Sequence, residues 1–187
     1  ALTLALAATV SLAACSSANN NTNSSAANSS ISAEQKQSIT ITSLNANKEE
    51  VQVEVPYDAQ RIAILDMPSL DILDKLGLGD RVVGTADTSI EYLTEYVDTT
   101  ENLGTIKEAD LEAIMSVEPD IIFIGGRLAG SYDALSEIAP VVFLSTDTEL
   151  GVVESVRKNA TTIASIFGKE SEVETLMADF DDRIAKL

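Results

Sequence analysis

The chain contains no histidine, no tryptophan and one cysteine, and it sets only 12 lysines and arginines against 30 aspartates and glutamates. Each shortage removes a class of chemistry from these residues. Without imidazole, the zinc, copper and iron sites built on histidine cannot be assembled, and neither can a nucleophilic triad with a histidine base. A lone cysteine forms no intramolecular disulfide and no thiolate cluster. A net charge of −18 argues against nucleic acid as a partner, because phosphate contacts need clustered Lys and Arg. Acidity by itself speaks only for solubility and for repulsion from anionic surfaces. Apolar runs are scarce too. The run Ala1–Ala14 is too short to cross a bilayer as a helix. What is present, 45% hydrophobic residues in 187, suits one α/β domain with a core, or one domain plus tails.

Residues 1–14, ALTLALAATVSLAA, have the character of the hydrophobic region of a secretory signal whose basic beginning is missing. The run ends in Leu12-Ala13-Ala14-Cys15, and small residues before a cysteine resemble the lipobox of bacterial lipoproteins. We therefore expect Cys15 to be lipidated and to hold the protein on the extracytoplasmic face of a bacterial cell membrane. The other reading is a buried cysteine in an N-terminal helix. An anchor of two or more acyl chains is stable where one is marginal. Residues 15–37, beginning CSSANNNTNSSAANSS, carry almost no apolar weight and are expected to be a disordered tether. Twenty such residues reach about 25 Å.

The folded part is expected over residues 38–168. Ile39–Leu44 and Val51–Val55 alternate apolar and polar residues around Asn45-Ala46-Asn47-Lys48, the pattern of a hairpin. Short apolar runs and amphipathic helices then follow one another. Strands are expected at Arg61–Leu65, Arg81–Gly84, Ile121–Ile124 and Val141–Leu144. Helices are expected at Ser69–Leu76 (closed by Gly77), Ala109–Val117 (with Leu111, Ile114 and Met115 as the buried face), Ser131–Ile138 and Thr148–Phe167 (capped by Gly168). Such an alternation with nearly all-apolar strands predicts an α/β fold, a parallel sheet with helices on both faces. A last helix begins near residue 169 and carries Val173, Leu176, Met177, Phe180 and Ile184 without a stop signal. The chain is therefore expected to be a piece of a longer one.

In an open parallel sheet, ligands gather at the carboxyl ends of the strands. Three segments belong there: Asp66-Met67-Pro68, Thr85–Asp87, and Gly125-Gly126-Arg127. The two glycines are read as allowing a sharp turn and a close backbone approach to a ligand. Arg127 then offers a planar fork of donors suited to carboxylate, phosphate or catecholate oxygens. The alternative is a surface arginine paired with Asp133 or Glu137. Neither a Walker pattern nor a G-x-G-x-x-G is present.

The runs RIAILDMPSLDILDKLGLGDRVVG, LGTIKEADLEAIMSVEPDIIFIGGR and YDALSEIAPVVFLSTD, taken in this order, resemble the periplasmic-type siderophore-binding proteins of iron ABC importers. The ferric-catecholate, petrobactin-type lipoprotein branch is the nearest in pattern, over residues 39–187. That resemblance implies two α/β lobes bridged by a long helix, with this chain holding the N-terminal lobe, the start of the inter-lobe helix (169–187) and no second lobe. It implies a ligand, a ferric siderophore complex that brings its own chelated iron, and no cofactor and no metal ligands in this lobe. It places Arg127 and Gly126, from the GGR motif, at the cleft. It adds Lys107 as a second positive charge, or else a solvated loop lysine, and Met67 as a soft contact, or else a core residue. It also assigns Glu112, otherwise an ordinary solvated glutamate, to docking on the ABC permease.

The expected function is thus capture without catalysis. A second reading keeps the transport role but changes the cargo to haem or cobalamin, whose clefts are usually more aromatic than a chain with 4% aromatic residues suggests. A third is a lipoprotein enzyme on a flavodoxin-like sheet, with Asp66 as carboxylate nucleophile or Mg²⁺ ligand.

Overall fold

Ile62–Leu65 and Ile121–Ile124 are two runs of four apolar residues, and all eight side chains are buried. Strands covered on both faces need helices above and below them, and these two form the centre of the sheet. The computed structural model describes residues 37–186. The expected signal run, Cys15 and all of the expected tether but its last residue lie outside the described residues.

The main sheet comprises β3 (Ile62–Leu65), β4 (Val82–Thr85), β5 (Glu101–Asn102), β6 (Ile121–Ile124) and β7 (Val141–Phe143), in the spatial order β5-β4-β3-β6-β7. Every pairing is parallel, and the β3–β6 register runs from Ile62↔Ile121 to Leu65↔Ile124. The start of this central pair is held by Asp120. Its carboxylate accepts the backbone N–H groups of Gln60 and Arg61, both at 2.9 Å.

Before the sheet comes the expected hairpin, β1 (Ser38–Leu44) against β2 (Glu50–Pro56). Its turn is organised by Asn45, whose Oδ1 accepts the N–H groups of Asn47 and Glu49. Buried Ser43 fastens the hairpin to β7, its Oγ accepting the Phe143 N–H at 2.9 Å and donating to the Phe143 carbonyl at 3.3 Å.

The helices are α1 (Met67–Lys75), α2 (Thr94–Thr99), α3 (Leu111–Ser116), α4 (Tyr132–Ser136), α5 (Val152–Phe167) and α6 (Glu170–Ile184). Asp66 caps α1, and Gly77 follows that helix at φ +70°. Gly168, at φ +64°, closes α5 as expected.

Four expectations need correction. Alone among the expected apolar face of α3, Ile114 is buried; Leu111 and Met115 are 37% and 52% exposed. The buried side instead runs through Ala113, Ile114 and Val117, a spacing as helical as the one expected, and six residues are too few for periodicity to choose between them. The α5 helix starts at Val152, not Thr148. Asp147 draws the preceding residues into a turn, its side chain accepting the Glu149 N–H at 2.8 Å, and Gly151 stands at φ +82°, where a right-handed helix cannot pass. Leu150 is consequently exposed and outside the helix. Arg81 belongs to a 3₁₀ turn, Gly79–Arg81, where it pairs with Asp58 at 2.6 Å instead of opening a strand. Finally, the helix expected at Ser131–Ile138 is Tyr132–Ser136, preceded by 3₁₀ turns over Gly126–Ser131. The stretch between β4 and α3, left without elements in the sequence reading, forms α2 and the two-residue edge strand β5.

Candidate functional site at the sheet switch point

Strand order makes one position special. From β3 the chain builds outward through β4 and β5; it then returns to the other side of β3 with β6 and continues to β7. The loops leaving β3 and β6 therefore part in opposite directions and open a crevice at their carboxyl ends, the usual ligand position in such sheets. Leu65 and Ile124 are register partners and the last residues of their strands. The next residues, Asp66 and Gly125, stand at the mouth of that crevice. A pocket of about 100 Å³ lies there, lined by Leu65, Asp66, Met67, Pro68, Ile106, Gly125, Gly126 and Arg127.

The pocket unites two of the three loops expected at the strand ends. The third, Thr85–Asp87, does not line it. Thr85 is buried, and the Asp87 N–H is spent on the Gly104 carbonyl at 2.9 Å. Ile106 comes in its place, from the loop after β5.

Asp66 is held firmly. Its Oδ2 accepts the Ser69 N–H at 3.1 Å and the Ser69 hydroxyl at 2.7 Å, which is the N-cap arrangement of α1. Burial pushes its carboxyl above the ordinary carboxylate value, and the two bonds from Ser69 oppose that rise. Gly125 has ordinary extended dihedrals, φ −108° and ψ 178°. It is a glycine for a different reason from the sharp turn expected: a Cβ there would collide with Oδ1 of Asp66 and lie 3.2 Å from its Cγ. Gly126 also lacks a positive φ, and a Cβ on it would meet nothing within 4 Å. Its bare backbone faces open space.

Arg127 is exposed. Among the described residues its guanidinium makes no ion pair, so the pairing with Asp133 or Glu137 is not formed. An unpaired guanidinium in a chain of net charge −18, at the lip of a crevice, is free to receive anionic oxygens. Met67 is buried at the start of α1 and touches both the core and the pocket. Lys107 is exposed one residue beyond Ile106 and does not line the pocket. Glu112 is exposed, as expected, on the first turn of α3. Cys15 lies outside the described residues. Among the described residues, no group of three His, Cys, Asp or Glu side chains is placed to hold a metal ion.

Sequence reasoning placed Asp66 in a strand-end segment but gave it a role only as a catalytic alternative, and it did not name Ile106. The signal for Asp66 was the D-x-x-S cap directly after a buried strand. Ile106 carried no local signal at all.

A larger hollow, about 290 Å³, lies between the hairpin, the end of β7 and α5. Several of its polar groups are engaged internally: Lys158 pairs with Glu50 at 2.7 Å, and the Ser155 hydroxyl donates to the Gly151 carbonyl at 2.6 Å and accepts the Asp147 N–H at 2.9 Å, while Lys48 lines it without an ion pair among the described residues. The smaller crevice, which lies at the switch point of the parallel sheet, is the better candidate.

Comparison with known proteins bears on the fold and the family. A family profile described as periplasmic binding protein matches residues 62–187. The petrobactin-binding protein YclQ of Bacillus subtilis is 37% identical over 134 residues, 71% of this chain and 42% of that protein. Its crystal structure superposes with a TM-score of 0.73 at 35% identity, covering 81% of this chain and 52% of that one. The catecholate-siderophore binding protein VctP from Vibrio cholerae superposes with a TM-score of 0.69 at 27% identity, over 79% of this chain and 52% of that one. The ferric-anguibactin-binding protein FatB of Vibrio anguillarum is 27% identical over 131 residues, 67% of this chain and 40% of that protein. The chain spans about half the length of the relatives it matches. It belongs to the periplasmic binding protein family, a substrate-binding type.

Proposed function

We propose that this chain, as a member of the periplasmic binding protein family, supplies one lobe of a receptor that captures a ferric siderophore of the catecholate type for an ABC importer. One observation carries the reading: the exposed, unpaired Arg127 at the lip of the crevice between β3 and β6. A guanidinium kept free of internal carboxylates offers its donor fork to the oxygens of an anionic iron chelate. Gly126 lets such a ligand approach the backbone, Met67 and Ile106 supply apolar contact, and Lys107 adds positive charge nearby. The iron arrives already chelated, so this lobe needs no metal ligands of its own.

The pocket's size fits this division of labour. About 100 Å³ is well below the roughly 300–1,000 Å³ of a complete small-molecule site. A bulky complex would leave much of its surface uncovered here, and the rest of the grip comes from a second lobe. In this scheme residues 38–168 form the binding lobe and 169–187 begin the helix that joins the lobes. Cys15 carries the lipid anchor on the extracytoplasmic face of the membrane, and Glu112 docks on the permease.

The lining of the crevice gives little support to the other readings. It contains no aromatic side chain to stack on haem or a corrin ring. One oxygen of Asp66 is engaged by Ser69, and no second carboxylate lines the pocket, an unfavourable setting for Mg²⁺ or for a carboxylate nucleophile.

Calorimetric titration of the full-length receptor with ferric catecholate complexes tests the proposal. Nanomolar capture corresponds to about 12 kcal/mol. Arg127→Ala should weaken it by about 2–5 kcal/mol, the cost of removing one partner from a desolvated charge contact. Unchanged affinity in that variant would retire the assignment.

A further inference from the structure

The capture reading leaves one group of the crevice unused, the second oxygen of Asp66. Oδ2 is occupied by the two bonds from Ser69. Oδ1 accepts no hydrogen bond among the described residues, and no Lys or Arg nitrogen stands within ion-pair distance of the carboxylate. Asp66 and Arg127 therefore share one pocket without neutralising each other. The fold makes room for this arrangement, because Gly125 leaves vacant the volume that any Cβ would contest with Oδ1.

Capping α1 does not require a carboxylate. Serine, threonine or asparagine caps a helix about as well. A carboxylate kept half-buried beside the cation of an anion site opposes a purely anionic ligand, and the opposition is strong where water is scarce. It becomes favourable when the ligand itself brings a donor to Oδ1, since a polar group in such a site binds well only when matched.

We propose that Asp66 is a specificity-determining ligand contact. In this assignment, which rests on the capture reading above, the crevice takes chelates in which an N–H donor, best a protonated amine, lies beside the anionic oxygens. Arg127 receives the oxygens and Oδ1 of Asp66 receives the donor. Catecholate complexes without such a donor are disfavoured by the same carboxylate.

The test uses the full-length receptor and a matched pair of iron(III) catecholate complexes, one with a protonated secondary amine in its linker and one with a methylene in that place. The wild-type protein should prefer the amine probe by about tenfold or more. Asp66→Asn keeps an oxygen for Ser69 but turns an amide NH₂ toward the pocket, so it should abolish the preference. The amine probe weakens by about tenfold, the methylene probe holds or tightens, and the unfolding midpoint stays put. A merely structural role would move both probes together, and that result overturns the inference. So does a wild-type protein that does not discriminate between the probes. If Arg127→Ala still loses both probes in either case, capture stands and only the role of Asp66 falls. If the wild-type protein binds neither probe, both fall.

Discussion

A side chain on residue 125 would have to begin where the carboxylate of Asp66 already stands: its Cβ would strike Oδ1 and lie 3.2 Å from Cγ. The two residues follow the register partners Leu65 and Ile124 out of the sheet, so the contact belongs to the crevice itself. Gly125→Ala should displace the carboxylate from Ser69 and cost about 1 kcal/mol, the worth of an N-cap. Gly126→Ala, with nothing within 4 Å of its new Cβ and no positive φ, should change stability by less than about 0.5 kcal/mol. Urea unfolding of the two variants side by side decides the point, and equal stabilities would show that the close approach does not matter.

The Tyr96 hydroxyl donates to Asp74 at 2.7 Å, joining α2 to α1, and Lys75 donates to the other oxygen at 2.9 Å. Burial alone would raise the Asp74 carboxyl, but the bonds from Lys75 and Tyr96 outweigh it and hold it below its usual value. Tyr96 is pushed up, by burial first and then by the bond to Asp74. A depressed carboxyl stabilises the fold above its unfolded pKa of about 4 and loses that contribution as pH falls through the lower folded value. A raised tyrosine stabilises it below an unfolded pKa of about 10 and loses that contribution as pH climbs toward the folded value. Tyr96→Phe should therefore cost about 1 kcal/mol near neutrality. The gap to the wild-type protein should close in strong acid and narrow again above about pH 10. A gap that stays constant across that range would refute the linkage.

On α3 the buried residue is Ile114, with Met115 beside it in solvent. Ile114→Ala should cost about 2–5 kcal/mol, as truncations in a packed core do. Met115→Gln should fall within about 0.5 kcal/mol of the parent. Thermal melts separate these outcomes; the reverse ranking would restore the face first expected.

Glu112 stands exposed on the same helix and does not line the crevice. If it docks on the permease, Glu112→Ala leaves ligand affinity of the full-length receptor unchanged. It slows uptake by the reconstituted importer, most clearly at low salt, where charged rim contacts act on encounter. Unaltered uptake would remove the docking role.

The central strands were legible because each is a run of four apolar residues, a local property that needs no partner to be recognised. The same holds for the Gly168 cap and for the alternation of β1 and β2. Reading failed where a local pattern admitted two answers or none. Six helical residues around Ile114 allow two buried faces. Asp147 and Gly151 break a helix that periodicity would extend. Glu101–Asn102 is too short and too polar to announce an edge strand.

The residues themselves determined that an arginine would follow two glycines at the end of a buried strand, in a chain with few cations to spare. Tertiary structure alone decided that β6 returns to lie beside β3. That pairing depends on non-local packing, which no window of sequence contains, and it turns the GGR loop into one wall of a crevice. It also sets Asp66 in the space beside Gly125, so that carboxylate and guanidinium line one pocket and, among the described residues, form no ion pair.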